Sequence, residues 1–210
     1  MTAKVEEALR FISRFAWLNI TWIGFTLLGG VILGLFPATY ALFTMVQRWV
    51  RDGEQDGVWK AFKHVYKQKF WQANGAGWLL AVIGAVLFIN YQVIVNAGGS
   101  LPLLVVLAFL FVVSFYALML IMIFPVWVFY QGGIMQALSY TARFILGRLH
   151  VALGFAVIVW GGVYLSLAFP ALILFFSGSV LAYMLAWFLN RSIERLTMKT
   201  QLKQEGWQQS

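Results

Sequence analysis

The chain has 210 residues, of which 62% are hydrophobic and 10% charged, and its net charge is +8 at pH 7. Soluble domains carry about 25% charged residues, so this balance excludes an ordinary soluble globular protein and points to the membrane class. There is no cysteine, which excludes a disulfide framework and a thiolate metal site.

Taken in chain order, residues 1–14 read as a charged amphipathic segment. No small-residue cleavage pattern follows the first apolar run, so no secretory signal is expected. Charged side chains are then absent from Phe15 to Gln47, from Phe70 to Ala142 and from Leu149 to Asn190. A bilayer core of about 30 Å takes about 20 helical residues, so each gap approaches or exceeds the length of two spans. Turn formers lie near the middle of each: Gly34 and Pro37, then Gly98, Gly99 and Pro102, then Pro170. The fold expected is all-α: one integral membrane domain over 1–210, a polytopic transmembrane helix bundle of about six spans arranged as three hairpins. The spans are placed at 17–33, 38–50, 75–95, 103–128, 151–168 and 171–189. The second is the shortest and reads either as a crossing or as one arm of a re-entrant hairpin.

All fifteen Lys and Arg fall before the first gap, between the gaps or after the last. Basic residues beside span ends mark the cytoplasmic side, so six crossings with both termini cytoplasmic put every basic cluster inside. Trp17, Trp49, Trp71, Trp78, Trp127, Tyr130 and Trp187 lie near the same ends, where amphipathic rings favour the headgroup level. Trp160 and Tyr164 fall outside this belt and are expected to pack between helices. Small residues at intervals of four, Gly30 and Gly34, then Gly77, Ala81 and Ala85, then Gly178, Ala182 and Ala186, are expected to let helices approach closely.

Between the first two hairpins, Trp59, Phe62, Tyr66 and Phe70 recur at helical spacing with Lys60, Lys63 and Lys67 on another face. This predicts an interfacial basic amphipathic helix over 58–70, capped by Asp56 and lying on the inner headgroups. Lys60, Lys63, Lys67 and Lys69 are its contact residues, either for anionic lipid of the inner leaflet or for a cytoplasmic partner.

Patterns that carry chemistry are few. Asp52, Glu54, Asp56 and Gly57 imitate the start of a calcium loop, but Lys63 stands where its last ligand should be a Glu. No P-loop, HExxH or GxSxG pattern occurs, and His64 and His150 lack carboxylates placed to share a metal. The expectation is no enzyme, no cofactor, no metal and no nucleic acid. Proton- or sodium-coupled transport places ionisable groups within spans, and the gaps contain none. Their polar groups are neutral. Asn19, Asn90 and Gln92 stand out, and they serve either as hydrogen-bonded packing between helices or as the lining of a solute path.

Four stretches resemble a known family: Trp17-Leu18-Asn19; Gly34-Leu35-Phe36-Pro37-Ala38-Thr39-Tyr40-Ala41-Leu42; Arg48-Trp49-Val50-Arg51-Asp52-Gly53-Glu54; and Tyr66-Lys67-Gln68-Lys69-Phe70-Trp71-Gln72-Ala73 after Phe62. They are similar to the YesL family of small bacterial integral membrane proteins, whose first turn often has Gly directly before Pro where this chain has Leu35 and Phe36 between. The resemblance implies a plasma-membrane protein of unknown biochemical activity, frequently encoded beside carbohydrate uptake and polysaccharide-degradation systems. It carries over no catalytic residue. With no energy-coupling group, nucleotide site or outer ligand-capturing domain in the sequence, the expected role is an accessory or interaction protein with an ABC-type sugar importer subunit as partner. The alternative is a small facilitator or channel for a neutral solute such as a sugar.

Overall fold

In hydrocarbon every backbone N–H and C=O must find a partner inside the protein, and for apolar runs of this length the helix is the simplest solution. The computed structural model describes residues 2–53, 57–97 and 101–208, with side chains described at 6, 9, 10, 12–53, 57–97 and 101–195. The elements are α1 (Thr2–Leu28), α2 (Leu35–Asp52), α3 (Val58–Asn96), α4 (Leu103–Tyr130), α5 (Ile134–Gly147), α6 (Leu149–Ala168), the single turn α7 (Pro170–Leu172), a π-helical turn (Ile173–Ser177) and α8 (Gly178–Gln208). No strand occurs among the described residues, so the all-α class is the one adopted. Among the described residues four segments are long and apolar enough to cross a membrane: Val58–Asn96, Leu103–Tyr130, Leu149–Ala168 and Pro170–Arg195. They contain the spans expected at 75–95, 103–128, 151–168 and 171–189.

The first hairpin is built differently from the one expected. Helix α2 has 18 residues and ends in Arg48, Arg51 and Asp52. Its uncharged part, from Leu35 to Gln47, covers about 20 Å at 1.5 Å per residue, less than a bilayer core. This helix is nonetheless the hub of the molecule, touching α1, α3, α4 and α8. Between Pro37 and Gln47 every residue is buried except the half-buried Thr39 and Thr44.

Residues 29–34 join α1 to α2 as a turn closed on itself. The N–H groups of Gly29, Gly30 and Val31 donate to the carbonyls of Phe25, Leu27 and Thr26, and that of Leu35 donates to Val31. Gly30 and Val31 have φ of 68° and 62°, a region a β-branched residue enters only when its surroundings hold it there. The backbones that meet closely are those of Gly29 and Gly34. The small pair expected at Gly30 and Gly34 thus shapes a turn and does not form a helix-packing face.

That turn rests on α3, where Asn74 Nδ2 donates to the Leu33 carbonyl at 2.9 Å and the Phe36 ring fills the space beside Gly77. From Gly77, α3 continues unbroken to Asn96, about 29 Å further along its axis at 1.5 Å per residue. The second hairpin therefore outreaches the first by about one hydrocarbon thickness. Beyond Leu80 the α3 side chains are exposed or half-buried, as are those of α4 before Leu118.

The segment 58–70 is also corrected. It is the opening of the 39-residue helix α3 and is continuous with the span that follows. Gly57, with φ of 83°, precedes it without a side-chain cap, and Asp56 lies outside the described residues. The two-faced pattern is present, but Phe62 and Tyr66 of its apolar stripe are buried against protein. Phe25 of α1 has its ring centroid 5.0, 5.1 and 5.0 Å from those of Trp59, Phe62 and Tyr66. With Phe62 and Tyr66 buried in the bundle, only the edge of this stripe, with Trp59 at 45% exposure, stays open to its surroundings.

Helix α4 carries Pro125 in its buried half, where neighbouring helices make the lost hydrogen bond tolerable. It stops at Gln131, whose φ of 52° turns the chain while its N–H donates to Trp127. The Trp127 indole N–H, fully buried, donates to the Gly132 carbonyl at 2.8 Å. Helix α5 then buries Ala137, Thr141 and Ile145 on one face and leaves Arg143 outward. In the third hairpin Gly162 accepts Leu181 and Gly154 accepts the Phe188 ring, while Ala182 and Ala186 are buried as their spacing predicts. Ala81 and Ala85 are exposed instead. Trp160 and Tyr164 do not pack between helices. They stack on each other with 72% and 66% exposure, which in a membrane places them against lipid.

Candidate functional site

A polar seam runs where α1, α2 and the third hairpin meet. Helix α1 is antiparallel to the second arm of that hairpin: the Phe15 carbonyl accepts from the Ser179 hydroxyl at 2.9 Å, and Asn19 reaches back to residues 173 and 174. Asn19 is fully buried. Its Nδ2 donates to the carbonyls of Ile173 and Leu174 at 3.0 and 2.7 Å, and its Oδ1 accepts from the Ser179 backbone N–H at 3.1 Å. The two carbonyls belong to the π-helical turn and the N–H lies just after it; the wider i to i+5 winding of such a turn displaces backbone partners. One amide side chain supplies them. Nearby, the Ser166 and Ser177 hydroxyls lie 2.9 Å apart and tie α6 to the π turn.

Further along α8, near its middle, Gln47 and Asn190 exchange hydrogen bonds in both directions, at 3.0 and 2.9 Å. Asn190 gives its second N–H to the Ala186 carbonyl at 2.7 Å. Both residues are buried. Every partner is neutral, and the amides are consumed by one another and by backbone, so this seam fastens helices and offers no reacting group.

The residues expected as a solute path are not brought together. Asn19 is in the seam. Asn90 is exposed on the far-reaching part of α3 and donates to the Val86 carbonyl of its own helix at 2.8 Å. Gln92 is exposed on the same stretch. Three of the four lysines share a surface: Lys60, Lys63 and Lys67 are exposed along one face of α3, whereas Lys69, nine residues after Lys60 and so on the opposite side of the helix, is half-buried and donates to Gln72 at 2.9 Å. His64 is exposed beside them.

Three buried amides were not anticipated as special: Gln47, Asn190 and Asn74. Gln47 and Asn190 are the last uncharged residues of the first and third gaps, so each reads as the flank of a basic cluster. Only the pairing of α2 with α8 shows that they are interior.

Residues 15–91 match the family described as "Protein of unknown function, DUF624". The chain is 32% identical over 175 residues to "Uncharacterized protein YesL" of Bacillus subtilis (strain 168), covering 83% of this chain and 82% of the relative. It is 31% identical over 182 residues to "Uncharacterized protein YteU" of the same organism, covering 83% and 80%. The chain belongs to this YesL-like family. "Uncharacterized protein YesV" of that organism is 28% identical over 205 residues, covering 93% of this chain and 96% of its own length. No solved structure matches the chain. The family match takes in the second half of α1, all of α2 and most of α3, which includes the strained turn, Asn74 and the lysine surface.

Proposed function

We propose that the protein is an accessory component of the bacterial plasma membrane, linked to carbohydrate uptake, that docks on a cytoplasmic face of an ABC-type sugar importer subunit through Lys60, Lys63 and Lys67. The observation that carries this reading is the division of labour on the first turns of α3. Phe62, Val65 and Tyr66 are locked into the core while the three lysines on the other side stay exposed. A basic face held rigidly loses little order on meeting an acidic surface. Resemblance to the YesL family supplies the carbohydrate context.

In this reading the three hairpins all open toward the cytoplasm, both termini lie inside, and the basic clusters sit at the inner ends in keeping with the positive-inside tendency. The first turn, shorter in reach than the second hairpin and flanked by exposed Leu27, Leu28, Val31, Ile32, Leu33 and Leu35, stays within the apolar layer. Among the described residues, Asn19, Asn90 and Gln92 do not converge on a path for a neutral solute.

The test is recovery of partners in mild detergent from cells grown with a polysaccharide as carbon source. Exchange of Lys60, Lys63 and Lys67 for Gln is expected to leave insertion intact and to abolish stoichiometric recovery of an importer subunit. Partner-free flux of a sugar through the purified protein in liposomes would replace this reading with a facilitator.

A further inference from the structure

The outward face of α8 changes character abruptly. Val180, Met184 and Trp187 are exposed, and the same face continues through Arg191 to Arg195, both exposed, at intervals of four, three, four and four that keep a helix stripe in line. Around its end lies a groove of about 350 Å³ lined by Trp187, Phe188, Arg191, Ser192 and Arg195. The Arg191 guanidinium stands over the Trp187 indole, 5.2 Å from its centroid, a cation–π contact that limits where its donors point. Among the described residues neither arginine forms an ion pair with a carboxylate. Glu194 is exposed between them in sequence. The Ser192 hydroxyl donates to the Phe188 carbonyl at 2.7 Å, so it offers the groove no proton.

We propose that this groove holds the phosphodiester of an anionic phospholipid, with an acyl chain lying along Trp187, Met184 and Val180. Two guanidinium forks one turn apart present paired donors to phosphate oxygens, a geometry a lysine pair does not reproduce. The groove lies where the last apolar segment, Pro170–Arg195, reaches its charged end, which is the level of a headgroup. The apolar stripe favours a lipid over free phosphate, because a soluble anion has no use for it. An anionic headgroup adds no ammonium beside the two arginines, whereas a phosphatidylcholine does. The site lies on α8 and is independent of the lysine surface on α3.

Native mass spectrometry of the full-length protein in neutral detergent tests this, with phosphatidylglycerol and phosphatidylcholine of equal chain length titrated separately. Phosphatidylglycerol is expected to be retained about tenfold more tightly, and Arg191→Gln with Arg195→Gln is expected to erase the difference. Lys60→Gln, Lys63→Gln and Lys67→Gln together should preserve it. An unchanged melting profile of the arginine variant, read on the same sample, confirms that the loss is local. Equal retention of the two lipids, or a preference that survives in the arginine variant, overturns the proposal. Displacement of phosphatidylglycerol by millimolar inorganic phosphate also overturns it in favour of a free-anion site. Because the readout is made in detergent, its failure is separate from failure of the docking or orientation readings.

Discussion

Gln47 and Asn190, 143 residues apart in sequence, bind each other through both arms of their side-chain amides in the buried contact between α2 and α8. Replacing one partner leaves the other with an unmet donor and acceptor, at a cost of about 1–3 kcal/mol. Replacing both with leucine removes the polar groups altogether and keeps similar volume. We therefore expect Gln47→Leu and Asn190→Leu each to lower the unfolding midpoint in detergent, and the double variant to recover much of the loss. Strictly additive losses in a double-mutant cycle would show that the two amides do not depend on each other.

Asn19 makes a second, independent prediction. Its amide serves two carbonyls and one N–H around the π-helical turn Ile173–Ser177. In Asn19→Leu those backbone groups lose their partner in an apolar setting, and the π turn has reason to rewind toward an ordinary helix or to open. Amide hydrogen exchange over residues 173–179 should accelerate by at least about tenfold, while exchange in α5 stays unchanged. Unaltered exchange at Ser179 would mean that the π turn holds itself.

How far these contacts could be read beforehand follows from where each signal lies. The charge-free gaps and their central turn formers located the hairpins because lipid forbids charge and unpaired backbone over long stretches, a local property of the sequence. The depth of each hairpin is not local. The 13 uncharged residues at the start of α2 look like a weak span, yet they form its most buried stretch because α1, α3, α4 and α8 all close on it. Periodicity found the stripe of Trp59, Phe62, Tyr66 and Phe70 without revealing what covers it, since lipid and the Phe25 ring reward the same pattern. Asn19 was recognisable as an isolated amide in an apolar run. Asn90 and Gln92 gave the same signal and ended on an exposed stretch, because sequence spacing does not say which face of a lone helix will meet a neighbour.

The difference in reach between the first two hairpins is measurable in cells. With no native cysteine, single thiols can be placed at will. Gly99→Cys, outside the described residues but at the centre of the second gap, is expected to react with an impermeant reagent from outside. Ile32→Cys, in the turn that rests on Asn74 and Gly77, is expected to resist it in intact cells and in inverted vesicles, because its surroundings are apolar and carbonyls of the last turn of α1 and of the turn itself serve the turn's N–H groups. Gly147→Cys should react only in inverted vesicles. Labelling of Ile32→Cys from outside at the rate of Gly99→Cys would restore a first hairpin that crosses fully.

Phe62 decides what the opening of α3 is for. It is completely buried, whereas Trp59, one turn earlier on the same stripe, is 45% exposed. If the stripe rested on headgroups, both rings would sit in lipid. Truncating either would then weaken membrane attachment by similar amounts and leave the bundle intact. Packed against Phe25 at 5.1 Å, Phe62 instead fills a closed contact between α1 and α3. Phe62→Ala is therefore expected to cost about 3–5 kcal/mol through lost burial and the cavity left behind, seen as a large drop in thermal midpoint of the detergent-solubilised protein. Trp59→Ala should cost less than half of that. Exchange of Lys60, Lys63 and Lys67 for Gln should stay within about 0.5 kcal/mol, since those side chains are exposed and surface substitutions have small effects. Equal midpoints for Phe62→Ala and Trp59→Ala would return the segment to the lipid surface and remove the rigid support on which the lysine docking face depends.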